Sequence, residues 1–331
     1  MKKIYMLGLA ASLCLPLAAQ TPRNGYFSEN LPMRHNLNPA FAPEYDYVAI
    51  PAIGGISAGM NSNVGADNFL FKKNGEVVTG LHSSVGNDEF LSGLKSRNYM
   101  EVNSGVSVVS LGFKALGGFN TIGINVKSAS SVTLPYELFE FAKIGQVNGA
   151  PTSYNIKDTR VQSSNYLELA FGHSRNLGEK FRVGAKVKYI AGVAYADARI
   201  DAIDVAMSAD KWSVREQGEM FTTDAIDIQY KPNGEIDDIS KGSFGVAGNG
   251  LGFDFGASYK LLDNLVLSAS LTDVGFVAWK GSNASVNPDE FVYDGFHHLV
   301  AEKDPDGSSA LSREGDQLEE DLRKLVRFQN E

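Results

Sequence analysis

Cysteine is nearly missing from this chain: the one residue, Cys14, lies close to the N-terminus. No internal disulfide can form, which excludes a disulfide scaffold, and a cysteine-based zinc site is excluded with it. Basic residues are short as well, 30 against 39 acidic, for a formal net charge of −9. Such a balance offers a polyphosphate little, so no nucleic-acid partner is expected. Beyond residue 20 nothing approaches 18 consecutive apolar residues, the minimum for a membrane-spanning helix. The five histidines (His35, His82, His173, His297, His298) never fall at a metal-protease spacing, and no bound metal is expected. Gly248-Asn249-Gly250-Leu251-Gly252 opens a strand rather than a helix and so lacks phosphate-cradling geometry. Asp304-Pro305-Asp306-Gly307 lacks the ligand alternation of a calcium loop. With no nucleophile elbow either, the expectation is a protein without catalytic residues and without a cofactor.

Glycine is what the chain has in excess: 34 of 331 residues, against a usual share of about 7%. That disfavours a mainly helical fold. At the N-terminus Lys2 and Lys3 precede an apolar run from Ile4 to Ala19 that closes on small residues. This is the layout of a secretory signal peptide over residues 1–20. An exported chain without a spanning helix is either soluble or crosses a membrane as a closed β-barrel.

Three hairpins favour the barrel. Val109, Leu111 and Phe113 alternate before a Gly117-Gly118 turn, and Ile122, Ile124 and Val126 alternate after it. Side chains alternate across a strand, so each set shares one face. Pairing Phe113 with Ile122 leaves a two-residue glycine turn, a favoured hairpin connection. Leu167, Leu169, Phe171 and then Phe181, Val183, Ala185, Val187, Tyr189 predict a second hairpin. Its expected turn is Asn176-Leu177-Gly178, which sets Glu168 across from Lys186 and Tyr166 across from Lys188. Phe253 to Tyr259 and Leu265 to Leu271 predict a third, with Tyr259 paired to Leu265. The opposite faces are small or charged: Glu168, Arg182, Lys186, Lys188 and Asp254 among them. An apolar face set against a polar one along strands of about 9–12 residues is the pattern of a transmembrane barrel. The expected fold is therefore all-β, an antiparallel transmembrane β-barrel, with Glu168, Arg182, Lys186 and Lys188 as hydrated lumen charges. The stretches 130–164 and 195–250 read as long outer loops, the first holding a short helix at Tyr136 to Ala142, and Glu76 to His82 reads as a short strand. A soluble secreted β-sandwich is the alternative, because its apolar strand faces would pack into a core.

Residues 21–46 are polar and proline-bearing, residues 47–280 carry the strands, and 281–331 read as a polar loop, helix or tail, with an amphipathic helix over 317–325. The chain ends Arg327-Phe328-Gln329-Asn330-Glu331 without a long amphipathic final strand, so the expected barrel is incomplete at its C-terminus.

The stretch Met33-Arg34-His35-Asn36-Leu37-Asn38-Pro39-Ala40-Phe41, followed by Tyr47-Val48-Ala49-Ile50-Pro51, resembles a Bacteroidota outer-membrane barrel family of unassigned function. The Asn38-Pro39-Ala40 triplet is also similar to the hatch segment of long-chain fatty-acid transporters and of related secretion-system barrel proteins. That resemblance implies that residues 21–46, with Asn36, Asn38, Pro39 and Ala40 as the motif, plug the lumen. It also implies outer-membrane lipid as a partner and a small hydrophobic molecule as a ligand. A surface or secretion-system barrel that binds protein partners through its long loops is the rival.

Overall fold

The computed structural model describes residues 26, 31–41, 43, 45–50, 55–230, 236–243, 245–286, 291–293 and 328–330. The expected signal peptide (1–20), Pro51 and the helix expected over 317–325 lie outside these residues. What is described is all-β and antiparallel. One large sheet is built from β1 (Tyr47–Ala49), β2 (Ile56–Ser62), β5 (Arg97–Ala115), β6 (Gly118–Pro135), β7 (Thr152–Leu177), β8 (Phe181–Met207), β9 (Trp212–Thr222), β12 (Gly248–Leu262), β13 (Leu265–Trp279), β14 (Ser282–Val286), β15 (Phe291–Tyr293) and β16 (Phe328–Asn330). Two small hairpins stand apart from it: β3 (Leu70–Lys73) with β4 (Glu76–Thr79), and β10 (Ile226–Tyr230) with β11 (Ile236–Lys241). Two short α-helices, α1 (Asn87–Leu91) and α2 (Tyr136–Ile144), and two 3-10 helices, Pro32–Asn36 and Ala66–Asn68, are also described. The short strand and the short helix expected from the sequence are β4 and α2. Strands β14 to β16 fall within the 281–331 segment.

The lateral order is β1 and β2 on β5, then β6, β7 and β8. Strand β8 is so long that two strands share its other edge. Its first half pairs with β12, which pairs with β13, and its second half pairs with β9, which carries β14 and β15. Among the described residues the sheet does not close: β13 pairs only with β12, and β1 and β2 only with β5. The closed barrel expected from the alternation is thus not what these strands form, because two edges remain apart. Both edges run in the same direction, so an all-antiparallel closure takes an odd number of further strands between them.

The sheet is nevertheless strongly curled. Lys127 on β6 and Asp273 on β13 are four strand steps apart, about 19 Å along a flat sheet, yet Lys127 Nζ stands 3.0 Å from Asp273 Oδ1.

Strand lengths correct the expectation of 9–12 residues. β7 has 26 residues and β8 has 27, each spanning roughly 85 Å at about 3.3 Å per residue. The regions expected as loops, 130–164 and 195–250, hold the outer halves of these strands together with α2, β9 and the β10–β11 hairpin. Their polar residues alternate with too few large apolar ones to read as strand.

Each hairpin keeps the expected faces but slides its register. In the first, Leu111 pairs with Ile122 and Ala115 with Gly118, which leaves Leu116-Gly117 as the turn, both with positive φ. Gly118 is withdrawn from the turn because it passes the neighbouring strand closely: a Cβ there would lie 2.4 Å from the Ser174 carbonyl oxygen. In the second, Leu177 pairs with Phe181 across Gly178-Glu179-Lys180, so Phe171 meets Val187, Glu168 meets Ile190 and Tyr166 meets Gly192. The expected pairs of Glu168 with Lys186 and Tyr166 with Lys188 do not form. In the third, Tyr259 pairs with Leu267, and a bulge near Leu261 brings Leu262 to Leu265. Every slide is an even number of residues, which is why the faces survive.

Burial divides the long strands in two. Next to the tight turns, the outward side chains are large and apolar and lie open: Leu169 is 45% exposed, Phe171 49%, Val187 50%, Phe255 53% and Leu271 58%. Such residues together expose on the order of 1,000 Å², more than the roughly 300–600 Å² of the largest patch on a typical soluble monomer. The inward side chains there are polar or charged and buried: Glu168, Lys186, Lys188 and Asp254 are each under 5% exposed. Beyond the bulge at Asn165/Tyr166 the arrangement reverses. Tyr154 and Ile156 on β7 and Val205 and Met207 on β8 form an apolar cluster with Leu138 and Phe141 of α2, while Asn155, Lys157 and Asp204 face out. A second cluster of Val85, Phe90, Leu91 and Leu94, packed against Phe69, Phe71 and Phe139, extends this conventional core.

Candidate functional site

The concave side of the inverted half holds the N-terminal segment. Pro32–Asn36 is a short 3-10 helix with proline at its start, where a missing N–H costs nothing. Pro39 follows Asn38 and restricts it to extended or turn geometry, and the Phe41 N–H closes the turn onto the Asn38 carbonyl at 2.8 Å. Asn38 is fully buried. Its Oδ1 accepts the Ala40 N–H at 2.9 Å, and its Nδ2 donates to the carbonyls of Ala257 on β12 (3.3 Å) and Ala269 on β13 (3.2 Å). The strands make room with glycine. A Cβ at Gly184 would lie 2.2 Å from the Pro39 carbonyl oxygen, and one at Gly256 2.0 Å from Asn38 Oδ1. Ala40 is 1% exposed. Arg34 donates twice to the Tyr26 carbonyl, its guanidinium 4.3 Å from the centre of the Phe41 ring.

Beside this turn the segment meets the strand charges. Lys186 Nζ donates to His35 Nδ1 and to Asn36 Oδ1, both at 2.7 Å. With Lys186 donating here as it does to Asn36, Nδ1 is the acceptor and the ring proton sits on Nε2. Nε2 in turn faces the Tyr47 hydroxyl at 2.5 Å, and that hydroxyl lies 3.0 Å from Ser110 Oγ on β5. His35 is 4% exposed; burial first, and then the charge of Lys186, hold its pKa well below the ordinary histidine value.

A second group lies next to it. Lys188 Nζ stands 2.6 Å from Asp254 Oδ1, 2.7 Å from Asp273 Oδ1 and 3.8 Å from Glu168 Oε2. Lys127 Nζ is 3.0 Å from both Glu168 and Asp273. Asn125 donates to Glu168 at 3.0 Å, and the backbone N–H of Asp273 donates to Asp254 Oδ1 at 2.7 Å. Glu168 was expected as a hydrated lumen charge; at 3% exposure it is instead desolvated within a network of charges. Desolvation of this kind offsets much of the Coulomb attraction, so the network chiefly fixes geometry.

The structure therefore brings together Asn36, Lys186, Glu168 and Lys188, with Asn38, Pro39 and Ala40 seated alongside. Arg182 lies nearer the turn, its Nη2 3.4 Å from Ser174 Oγ. Asp254 was read on the polar strand face but not as a site charge, and His35, Tyr47, Lys127 and Asp273 are the further members that the sequence reading did not assign to the site. Lys127 and Asp254 carried a signal, since both sit at inward strand positions. Asp273 carried none, because a bulge between Phe253 and Phe255 displaces it from the alternation.

A protein family described as being of unknown function, DUF5723, matches residues 39–331. No curated protein and no solved structure matches the chain.

Proposed function

The chain belongs to that family of unknown function, and from this premise we propose that its inverted half is the wall of an outer-membrane β-barrel and its N-terminal segment the plug. Residues 1–20 direct export. The lipid partner is the outer membrane, and the plug governs passage of a small solute along the concave face. The single observation that carries this reading is the reversal of faces: apolar side chains outward, ion pairs inward, over one half of the same strands. A soluble sandwich has no use for an outward apolar belt, whereas lipid covers it. The tight turns then face the periplasm, and the far halves of β7 and β8 stand clear of the membrane, since a tilted membrane strand needs only about 9–11 residues. The inner face offers ion pairs and backbone carbonyls, so a polar, hydrated solute suits it better than the hydrophobic ligand implied by the fatty-acid transporters.

Two measurements test the reading. The protein should fractionate with outer membrane and migrate differently in detergent when unheated, and deletion of residues 22–44 should raise permeability without stopping assembly. Recovery in the soluble fraction would remove the wall, and an unchanged permeability in an inserted deletion would remove the plug. A second reading, docking of a protein partner, is favoured by the separately packed clusters of the far half. Truncating that half should then abolish partner capture and leave permeability unchanged.

A further inference from the structure

We propose that His35 and Lys186 form a proton-released latch that holds the N-terminal segment in the concave face. The inference rests on the plug reading above and adds what would release it.

The geometry is specific. Lys186 reaches from β8 and is 4% exposed. Its ammonium makes 2.7 Å contacts with two acceptors of the N-terminal segment, His35 Nδ1 and Asn36 Oδ1. On the other side, His35 Nε2 meets Tyr47 of β1, which continues to Ser110 of β5. One imidazole thus bridges two strand systems on opposite sides of the segment, and it can do so only when neutral. A proton added to Nδ1 removes the lone pair that Lys186 needs and sets two cations in contact in a buried site. Among the described residues no carboxylate is within hydrogen-bond distance of His35 to absorb that charge. The titratable groups around the imidazole are Lys186 of β8 and Tyr47 of β1, with His173 of β7 lining the same small cavity. Behind Lys186 the acting charges are Asp254 of β12, Lys188 of β8, Glu168 of β7 and Lys127 of β6; Lys127 engages Glu168 and Lys188 engages Asp254 Oδ1, while Asp254 Oδ2 is buried without a hydrogen-bond partner among the described residues. The depressed pKa of His35 agrees with this geometry.

Linkage gives the size of the effect. The docked segment keeps His35 neutral, while in the released segment His35 titrates near the ordinary value of about 6.5. The released state binds the extra proton, so acid favours release. His35 should by this linkage raise the ratio of released to docked segment by up to about thirtyfold between pH 7.5 and pH 5.

The test places a nitroxide label at Leu31→Cys in full-length protein carrying Cys14→Ser, folded in detergent, and reads its mobile and immobile fractions against pH. The proposal expects a mobile fraction that grows on acidification and reverses on return to pH 7.5. His35→Gln keeps one acceptor and one donor but has no proton to gain, and should stay immobile at both pH values. Lys186→Met should be mobile at both. An immobile wild-type label at pH 5, or a His35→Gln label that acid releases as in the wild type, overturns the latch. Permeability measured on the same variants separates the two claims: label release without a permeability change leaves the latch standing and removes the gated passage.

Discussion

The two halves of the β7–β8 hairpin are one continuous pair of strands, and they solve opposite solvation problems. In the half beyond the bulge, Tyr154, Ile156, Val205 and Met207 lie beneath α2 and polar residues face out, the order that water imposes. In the half next to the turn, Glu168, Lys186 and Lys188 are buried while Leu169, Phe171 and Val187 lie open. Both halves are antiparallel strand; what differs is which side of the strands carries the large apolar chains. The change-over falls at the bulge, where an extra residue on β8 re-aims its side chains. The aromatic stack of Tyr195 with Trp279, ring centres 4.9 Å apart, sits close to this change-over.

The largest effect expected from breaking the contrast lies on the inward side. Lys188→Met strips the cation from Asp254, which is 1% exposed, and stranding that buried carboxylate should cost roughly 3–5 kcal/mol. Lys157→Met, on the outer face of the far half, should change stability by less than about 0.5 kcal/mol. Urea unfolding of the two variants in parallel checks the pair, and equal losses would mean that the two halves are not differently solvated.

The outward face comes next. Leu169→Arg should cost roughly 2–4 kcal/mol in a lipid bilayer, while Ser153→Arg, on the same strand beyond the bulge, should be tolerated. Assembly yield in lipid vesicles reads both. A smaller change probes the conventional core: Ile156 is 1% exposed, and Ile156→Val should cost about 1 kcal/mol. Hydrogen exchange should report that loss in the far half and leave the amides of residues 167–177 unchanged.

The smallest effect is a pH dependence confined to the far half. Burial pushes the Glu216 carboxyl up to about 7 from the usual 4.5. The folded state therefore holds this proton where the unfolded chain has released it. Sign follows directly: the contribution is favourable below about 4.5 and is lost as pH rises from there to about 7. Glu216→Gln should flatten that slope and stabilise the far half above pH 7, as read by exchange at several pH values.

Much of this was legible in the residues themselves. The period-2 alternation of Leu167, Leu169 and Phe171 with Glu168 and Ala170 assigns faces without any structure, because a strand has only two. Register was not legible, since an even slide keeps the faces and is decided by close contacts such as Gly118 against Ser174. The outer halves of β7 and β8 were not legible either, because their apolar residues are packed by a helix that follows a different strand. At the site, Asn38-Pro39-Ala40 stood out through proline and a resemblance, and Lys186 and Lys188 through their parity. The role of His35 depends on Lys186, 151 residues away, and no spacing rule reaches that far.

The most direct test compares the same outward face on either side of the bulge. Nitroxide labels at Leu169→Cys and Ser153→Cys, in protein reconstituted into lipid vesicles, would be exposed to oxygen, which concentrates in lipid, and to a water-soluble nickel chelate. The inverted half predicts that position 169 relaxes mainly with oxygen and position 153 mainly with nickel. Relaxation of both labels by nickel alone would contradict it.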